Sequence, residues 1–254
     1  MGRSDDNKPT MPAAPTCQGC PVRRLAVFKP FTPEQVDTIS RLRKSFRVLP
    51  RKTRVLKSGQ SKDEFYTLFS GWAFRYKMLE SGRRQIMDFL LPGDFIGFDQ
   101  LTVVDSGMSV EALTDVAICV FDRTQMIETL KTHPTLAMSV AWMTSQADTV
   151  MAEHLTGLGR KSAVDRVGSL LLELFTRQAR REHIVNSSCR FPLTRHHIAD
   201  AVGLSDEYVT RALRELRDRG FVTLEAQRLA ILNYEELARS VSWTDTYLVP
   251  RAMF

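Results

Sequence analysis

Residues 193–216 read LTRHHIADAVGLSDEYVTRALREL, and this stretch decides the architecture of the C-terminal part of the chain. Ile198 and Val202 have the spacing of the inner face of a short helix. Gly203 follows them and can adopt the positive φ of a sharp turn without steric cost. Ser205 is then a natural N-cap for a second helix. Two short helices joined by such a turn predict a helix-turn-helix, in which the second helix enters the major groove of DNA.

The second predicted helix, over residues 205–216, presents side chains that suit the reading of base pairs. Glu207 can accept a hydrogen bond from a cytosine amine, and Arg211 can donate two hydrogen bonds to guanine O6 and N7. A spacing of four residues also suits an ordinary ion pair on a solvated helix, but the turn before this helix and the hairpin after it favour base reading. The predicted DNA-contacting residues are Ser205, Glu207, Tyr208, Thr210 and Arg211, with Arg195 on the preceding helix.

Basic residues are concentrated around this motif. Residues 160–220 hold twelve Lys and Arg against eight Asp and Glu, a surplus of four, within a chain of 254 residues whose net charge is +6. A basic domain suits a polyanionic partner, whose phosphates would position the protein while the second helix specifies the sequence. Residues 221–232 are predicted to form a hairpin that lies beside the DNA backbone as a wing.

Short runs of β-branched and aromatic residues, separated by glycines, occupy residues 46–121. Gly59, Gly71, Gly82 and Gly93 lie eleven or twelve residues apart. Strands with turn signals at this spacing predict an antiparallel sandwich or barrel. We therefore expect a separate N-terminal β domain.

A helical pattern follows Pro134 and continues for about 25 residues, which is long for a globular helix. Its apolar residues alternate by four and three, the spacing of a heptad seam. A seam between the two helices of a dimer is favoured because the opposite face is polar, and packing of the helix on its own domain is the alternative. The residues of the predicted seam are Leu136, Val140, Met143, Ala147 and Val150.

The composition argues against several classes of protein. A hydrophobic content of 43% and a charged content of 25% are those of a globular chain, and no uncharged apolar run approaches the roughly 18 residues of a transmembrane helix. The N-terminus lacks the apolar core of an export signal, and the four cysteines suit a reducing cytoplasm. We expect a cytoplasmic protein with no membrane partner. We expect no enzyme, because the sequence shows no glycine-rich phosphate loop and no nucleophile elbow.

The order of these parts resembles the CRP/FNR superfamily of bacterial transcription regulators, over residues 17–235. The run QIMDFLLPGDFIGFD at residues 85–99 is similar to the FNR and FixK branch, and EYVTR at residues 207–211 matches that branch's Glu-x-x-Ser-Arg pattern with threonine for serine. The resemblance implies an α+β fold with an N-terminal cyclic-nucleotide-binding-like β-roll, a long dimerisation helix and a C-terminal winged helix-turn-helix.

The resemblance also implies domain boundaries and a function. The expected divisions are a flexible tail (1–16), a cysteine arm and β-roll sensor domain (17–132), the dimerisation helix (133–158), the winged helix-turn-helix (159–235) and a C-terminal tail (236–254). The implied function is that of a homodimer that binds a palindrome in double-stranded DNA with TTGAT- or TTGAC-like half-sites, recruits RNA polymerase and activates transcription in response to oxygen or redox state. A ligand- or haem-binding β-roll whose helix-turn-helix docks another protein is the alternative.

Cyclic AMP is not expected as the effector. The cyclic-nucleotide-binding members of the family place an arginine and a small hydroxyl residue against the cyclic phosphate. The corresponding run here, residues 104–113, has acids and no arginine. A buried phosphate without a cationic partner would be costly.

In the FNR branch, four cysteines hold an iron–sulfur cluster, and this chain matches three of the positions with Cys17, Cys20 and Cys119. The third N-terminal position is Ala26. Three interpretations stay open: a cluster with a non-cysteine or exogenous fourth ligand, a reversible Cys17–Cys20 disulfide, and cysteines without a redox role. A zinc site is disfavoured because it needs four nearby ligands and only two cysteines are local.

Overall fold

Two four-stranded antiparallel sheets form the N-terminal domain in the computed structural model, which describes residues 14–25, 32–60, 63–97, 107–181, 184 and 187–248. The first sheet has the strand order β1-β8-β3-β6 and the second has the order β2-β7-β4-β5. This is the antiparallel sandwich that the glycine spacing predicted. The strands are β1 (Arg43–Leu49), β2 (Arg54–Leu56), β3 (Glu64–Ser70), β4 (Ala73–Met78), β5 (Arg84–Leu90), β6 (Phe95–Ile96), β7 (Ser109–Ala112) and β8 (Val116–Asp122).

Four stretches that carried sequence predictions fall wholly or partly outside the described residues. They are most of the predicted N-terminal tail (1–13), the end of the predicted C-terminal tail (249–254), the position of Ala26, and residues 98–106. The last of these includes the start of the run in which an arginine would have indicated a cyclic nucleotide.

The two faces of β8 belong to two different hydrophobic clusters, because successive side chains of a strand point to opposite faces of the sheet. Ile118 and Val120 point between the two sheets and are completely buried there. Cys119 and Phe121 point to the outer face of the first sheet, where they pack with Leu136 at the start of the long helix. The first sheet is therefore covered on both sides.

Helices cover this outer face and then lead to the C-terminal domain. They are α1 (Pro33–Leu42), α2 (Arg123–Thr132) and α3 (Pro134–Arg160). α3 has 27 residues, in agreement with the long helix predicted from the sequence, and it continues two residues beyond the predicted end at residue 158. It ends at Arg160, with Lys161 as its C-cap, because Ser162 and Asp165 form a capping box that begins the next helix. In the described ranges, no helix is both long and apolar enough to cross a membrane.

The C-terminal domain is a winged helix-turn-helix. Its elements are α4 (Ala163–Ala179), β9 (Ser188–Arg190), α5 (Arg195–Val202), α6 (Asp206–Asp218), β10 (Val222–Glu225), β11 (Arg228–Ile231) and α7 (Tyr234–Ser240). The predicted hairpin is present as β10 and β11, and β9 pairs with β11 to complete a three-stranded sheet in the order β10-β11-β9.

The chain remains folded beyond residue 235, where the sequence analysis placed the end of this domain. Leu237 in α7 is completely buried. Residues 243–248, called the strap below, then return to α3 and α4. The Gln146 side chain on α3 donates to the Tyr247 carbonyl, and Arg180, the C-cap of α4, donates to the Leu248 carbonyl and pairs with Asp245.

Candidate nucleic-acid interface

The two helices α5 and α6 form the helix-turn-helix that the sequence predicted. Gly203 ends α5 in the left-handed conformation, with φ +64° and ψ +42°. Ser205 caps α6, and its hydroxyl accepts a hydrogen bond from the Tyr208 N–H at 3.5 Å. Val209 and Leu216 anchor α6 from beneath with no exposed surface. These contacts fix the start of α6 and direct its first turns outward.

The predicted DNA-contacting residues lie together at this end of the motif. Glu207 and Arg211 are exposed, and the Tyr208 side chain retains 52% of its accessible surface. Thr210 is half-buried, and its hydroxyl donates to the Asp206 carbonyl at 2.7 Å. Arg195 is exposed at the start of α5. The wing contributes a further turn, in which Ala226 and Gln227 both have positive φ angles.

Glu207 and Arg211 make their main contacts with two different neighbours, Ser205 and Tyr208. The Arg211 guanidinium carbon lies over the Tyr208 ring, 4.3 Å from its centroid. A hydrogen bond from the Ser205 hydroxyl and one from the backbone hold the pKa of the Glu207 carboxyl below its ordinary value, and the charge of Arg211 lowers it to a smaller extent. Within the described ranges no ion pair joins Glu207 to Arg211. The i,i+4 ion pair, which was the alternative to base reading, is therefore not formed.

The helix-turn-helix packs against the outer face of the second sheet of the β-roll. Trp72 and Phe74 of the β-roll belong to the same buried cluster as Phe191 and Ile198 of the C-terminal domain. The Trp72 and Phe191 rings meet edge to face, with centroids 6.4 Å apart. The two domains therefore share one hydrophobic core.

Polar contacts between β5 and α5 fix the orientation of the two domains within this packing. Arg84 pairs with Asp200 through two nitrogens, at 2.7 and 2.8 Å, and its guanidinium carbon lies 4.7 Å from the Phe74 ring centroid. The Gln85 side chain donates to the Ala201 carbonyl at 3.0 Å. The first helix of the motif is thus bound to one strand of the β-roll at two adjacent residues.

A buried ionic cluster crosses the same junction. Arg177 on α4 pairs with Asp88 of β5 at 2.7 Å, with Asp94 of the following turn at 2.8 Å, and with Glu173 of its own helix at 3.2 Å. Arg181 pairs with the second oxygen of Asp94 at 2.5 Å. Burial alone would raise the pKa of the Asp94 carboxyl, but Arg181 and Arg177 hold it below its ordinary value. Asp94 and Arg177 therefore stay charged in the interior.

His154 connects this cluster to the long helix. Its Nε2 lies 2.6 Å from a Glu173 oxygen and its Nδ1 lies 3.2 Å from the Met87 carbonyl of β5. Burial would lower the pKa of His154, but Glu173 raises it to about 9, so the ring is protonated at neutral pH. The Tyr247 hydroxyl of the strap lies 3.4 Å from the same Glu173 oxygen. The β-roll, α3, α4 and the strap all meet at this point.

The sequence analysis missed this cluster, although one signal for it was present. Glu173 interrupts the apolar pattern of α4, and Arg177 follows it by one helical turn, so the two charges share a helix face. The partners Asp88 and Asp94 are 89 and 83 residues away from Arg177. No local pattern could link them to α4.

The three cysteines that matched the family positions lie near one another, with Cys119 on the outer face of the first sheet. Cys17 and Cys20, called the arm cysteines below, are half-buried, and the Cys20 N–H donates to the Cys17 carbonyl at 3.4 Å. Burial raises the pKa of the Cys119 thiol to about 11, although the Arg43 guanidinium bonded to this thiol has the opposite effect. Over the described ranges no three His, Cys, Asp or Glu side chains are grouped closely enough to hold a metal ion. With Ala26 at the third N-terminal position, Cys17, Cys20 and Cys119 offer at most three of the four thiolates of a cysteine-ligated cluster.

The predicted seam residues differ in their surroundings. Leu136 packs in the cluster between the first sheet and α2 of its own protomer. Val140, Met143 and Val150 are half-buried, and Ala147 is exposed. Another stripe on α3 is the more exposed one; its members are Met138, Ala141, Ser145, Asp148, Ala152 and Leu155, of which Leu155 is 71% exposed.

Both domains match models of known families. Residues 46–133 match the cyclic nucleotide-binding domain, and residues 165–240 match the Crp-like helix-turn-helix domain. The first match covers much of the β-roll, and the second runs from the start of α4 to the end of α7.

Whole-chain relatives are transcription regulators. The chain is 32% identical over 219 residues to the transcriptional activator protein FnrL of Cereibacter sphaeroides, covering 85% of this chain and 87% of that protein. It is 34% identical over 190 residues to the nitrogen fixation regulation protein FixK of Azorhizobium caulinodans, covering 73% and 74% of the two chains. The solved structure of FixK2 from Bradyrhizobium japonicum is similar with a TM-score of 0.71 at 26% identity, covering 77% of this chain and 96% of that chain.

Proposed function

This chain belongs to the CRP/FNR family of transcription regulators, in the branch of FNR and FixK, and we propose from that premise how it recognises its promoters. It is a DNA-binding transcriptional activator and not an enzyme. We propose that it acts as a homodimer, binds a palindrome with TTGAT- or TTGAC-like half-sites through α6, and contacts RNA polymerase from that position.

The observation that carries this proposal is the arrangement of the first turns of α6. Glu207 and Arg211 are exposed on one face, not paired with each other, on a helix whose start is fixed by Ser205. A carboxylate and a guanidinium in this arrangement suit the amine of a cytosine and the O6 and N7 atoms of a guanine. The half-sites TTGAT and TTGAC contain a guanine that Arg211 would read.

The test is a binding titration on a fluorescent palindromic duplex, with the guanine of each half-site replaced in a second duplex. Arg211→Ala should remove discrimination at this base pair, at a cost of about 1–3 kcal/mol for each half-site. Arg214→Ala is the matched control, because Arg214 is exposed on the same helix one turn further from its start. Discrimination that survives Arg211→Ala would refute the assignment.

Salt dependence separates this function from the alternative, in which the helix-turn-helix docks a protein. A DNA-binding domain that contacts several phosphates loses affinity steeply as the salt concentration rises, because bound counterions are released. Protein docking would show a much weaker dependence. A shallow salt slope and equal affinity for unrelated duplexes would exclude the proposed function.

We propose that α3 forms the dimer through its exposed stripe, which contains Ala141, Asp148 and Leu155. These residues repeat every seven positions, which is the period of a coiled-coil seam, and Leu155 is 71% exposed in the protomer. The seam predicted from the sequence faces in part toward its own protomer, since Leu136 is buried there. Met138 and Leu155 are the large apolar side chains of this stripe, and their exposure on a long helix is best explained by a second copy of the helix.

We further propose that a redox signal is carried by the thiols of the arm cysteines. Their oxidation would join the two Sγ atoms, release two protons and transfer two electrons to a peroxide or a small disulfide. The Cys20 N–H···Cys17 carbonyl hydrogen bond closes the turn that brings the two residues together. Assays for iron and sulfide and an absorbance spectrum on protein purified without oxygen test this proposal. A visible band that bleaches in air, with stoichiometric iron and sulfide, would refute it.

A further inference from the structure

The contact between Tyr208 and Arg211 has a chemical property that an ion pair would lack. A cation–π contact uses the face of the guanidinium and the face of the ring. It leaves the N–H groups along the guanidinium edge available as donors. The Arg211 guanidinium carbon lies 4.3 Å from the Tyr208 ring centroid, so this side chain is held in place while its donors remain available.

Two neighbouring side chains, Glu207 and Thr210, could compete with Tyr208 for the Arg211 guanidinium, but both are hydrogen-bonded to other groups. The Glu207 carboxylate accepts a hydrogen bond from the Ser205 hydroxyl and one from the backbone, and the described residues show no ion pair between it and Arg211. Thr210 directs its hydroxyl into the helix, to the Asp206 carbonyl at 2.7 Å. Tyr208 is therefore the neighbour that holds the Arg211 side chain.

The position of Tyr208 makes this contact usable on DNA. Residues three apart on a helix are neighbours on its surface, and both side chains emerge from the first turns of α6, the part of a recognition helix that meets base edges. Tyr208 is 52% exposed and lies outside the hydrophobic clusters of the protomer. Its ring therefore has no evident role in holding the fold together.

We propose that Tyr208 is a positioning residue for base reading: its ring orients the Arg211 guanidinium before DNA is bound, and the pair, rather than Arg211 alone, sets discrimination at the guanine. This inference rests on the proposed function of α6. Ordering a long, flexible side chain before binding reduces the entropy lost on binding. A bidentate contact benefits most, because both donors must be aligned at once.

The experiment compares Tyr208→Phe, which retains an aromatic face, with Tyr208→Leu, which removes it at similar bulk. Each protein is titrated with a palindrome that carries guanine and with one that carries 7-deazaguanine, which lacks the N7 acceptor. The ratio of the two dissociation constants is the discrimination. A purely structural role for Tyr208 would weaken binding to both duplexes equally and leave this ratio unchanged.

Tyr208→Phe should keep the wild-type ratio. Tyr208→Leu should lower it by about 2–5-fold for each half-site, the factor that corresponds to the loss of a cation–π contact at an exposed position. An unchanged ratio in Tyr208→Leu, with the ratio lost in Arg211→Ala, would overturn the inference and leave the proposed function intact. A ratio lowered equally by the Phe and Leu variants would also overturn it, since the hydroxyl would then be the active group.

A second measurement needs no DNA. Ring currents from Tyr208 should shift the NMR signals of the Arg211 side-chain protons upfield in the wild-type protein and in Tyr208→Phe, and this shift should vanish in Tyr208→Leu. Equal proton shifts in all three proteins would refute the contact itself. If the contact is present but Arg211→Ala leaves the discrimination unchanged, the base-reading role of Arg211 fails, and the role of Tyr208 fails with it.

Discussion

Replacement of Arg177 by methionine should test the ionic cluster between the β-roll and α4. Methionine fills much of the same space without charge, so the substitution chiefly removes the cation. A buried ion pair that loses one partner costs about 3–5 kcal/mol, because the remaining charge stays in the interior without compensation. The geometry of this cluster indicates where in that range the loss should lie.

Three carboxylates contact the Arg177 guanidinium, at 2.7, 2.8 and 3.2 Å. Asp94 keeps Arg181 after the substitution, and Glu173 keeps His154. Asp88 loses its partner in the cluster, and its side chain is 19% exposed, so water offsets part of the cost. We therefore expect Arg177→Met to lower the free energy of unfolding by about 3 kcal/mol, at the low end of the range for buried pairs.

Urea unfolding measures this change, with tryptophan fluorescence as the probe because Trp72 lies at the domain junction. Arg180→Met, at the C-cap of the same helix, is the matched control. Arg180 pairs with Asp245, whose side chain is 45% exposed, so its loss should cost less than about 1 kcal/mol.

Adding Asp88→Asn should restore stability in the Arg177→Met background and reduce it in the wild-type background. Equal losses in the two arginine variants, or additive effects in this cycle, would show that the cluster does not join the domains.

Three further predictions concern the long helix and the cysteines. Burial would lower the pKa of His154, but the ion pair with Glu173 raises it to about 9, against about 6.5 in the unfolded chain. The ion pair should therefore stabilise the fold fully below pH ~6.5 and lose up to about 3 kcal/mol of that stabilisation as the pH rises through 9. Urea unfolding of His154→Gln should no longer show this pH dependence. Leu155→Glu should give a monomer in light scattering at micromolar concentration; a dimer that survives it but is lost in Val140→Glu would return the seam to the stripe predicted from the sequence. Iodoacetamide should modify the arm cysteines of the native protein before Cys119, because burial raises the pKa of the Cys119 thiol to about 11; mass spectrometry that finds Cys119 modified first would contradict this.

The parts of the fold that depend on local pattern could be predicted from the sequence. Residues 193–216 contain a turn glycine, an N-cap and two short apolar faces, and each of these acts within a few residues of chain. The long helix after Pro134 was predicted because apolar residues repeat over many turns. The β domain followed from the spacing of its turns. Its pairing into two sheets depends on contacts between strands far apart in the chain, such as β1 with β8, and no local pattern records them.

The orientation of side chains within a predicted element was harder to predict from the sequence. The stripe that contains Leu136 and the stripe that contains Leu155 both have helical periodicity, and periodicity does not state which stripe faces the protein's own β-roll. That choice depends on the position of the first sheet, where Leu136 packs near Cys119. In the same way, Glu207 and Arg211 have ion-pair spacing, but Ser205 and Tyr208 engage the two side chains instead.

The charges at the domain junction bear on how the protein holds α6. Three cations and three carboxylates meet there, the cations being Arg177, Arg181 and protonated His154. Apolar residues of similar volume could stabilise such a junction equally well, because the cost of removing charges from water cancels much of their attraction. An apolar contact tolerates sliding, whereas each ion pair requires particular atoms to meet within about 3 Å. Since Arg177 lies on α4, which packs on α6, we infer that the cluster serves mainly to fix one angle between the β-roll and the recognition helix.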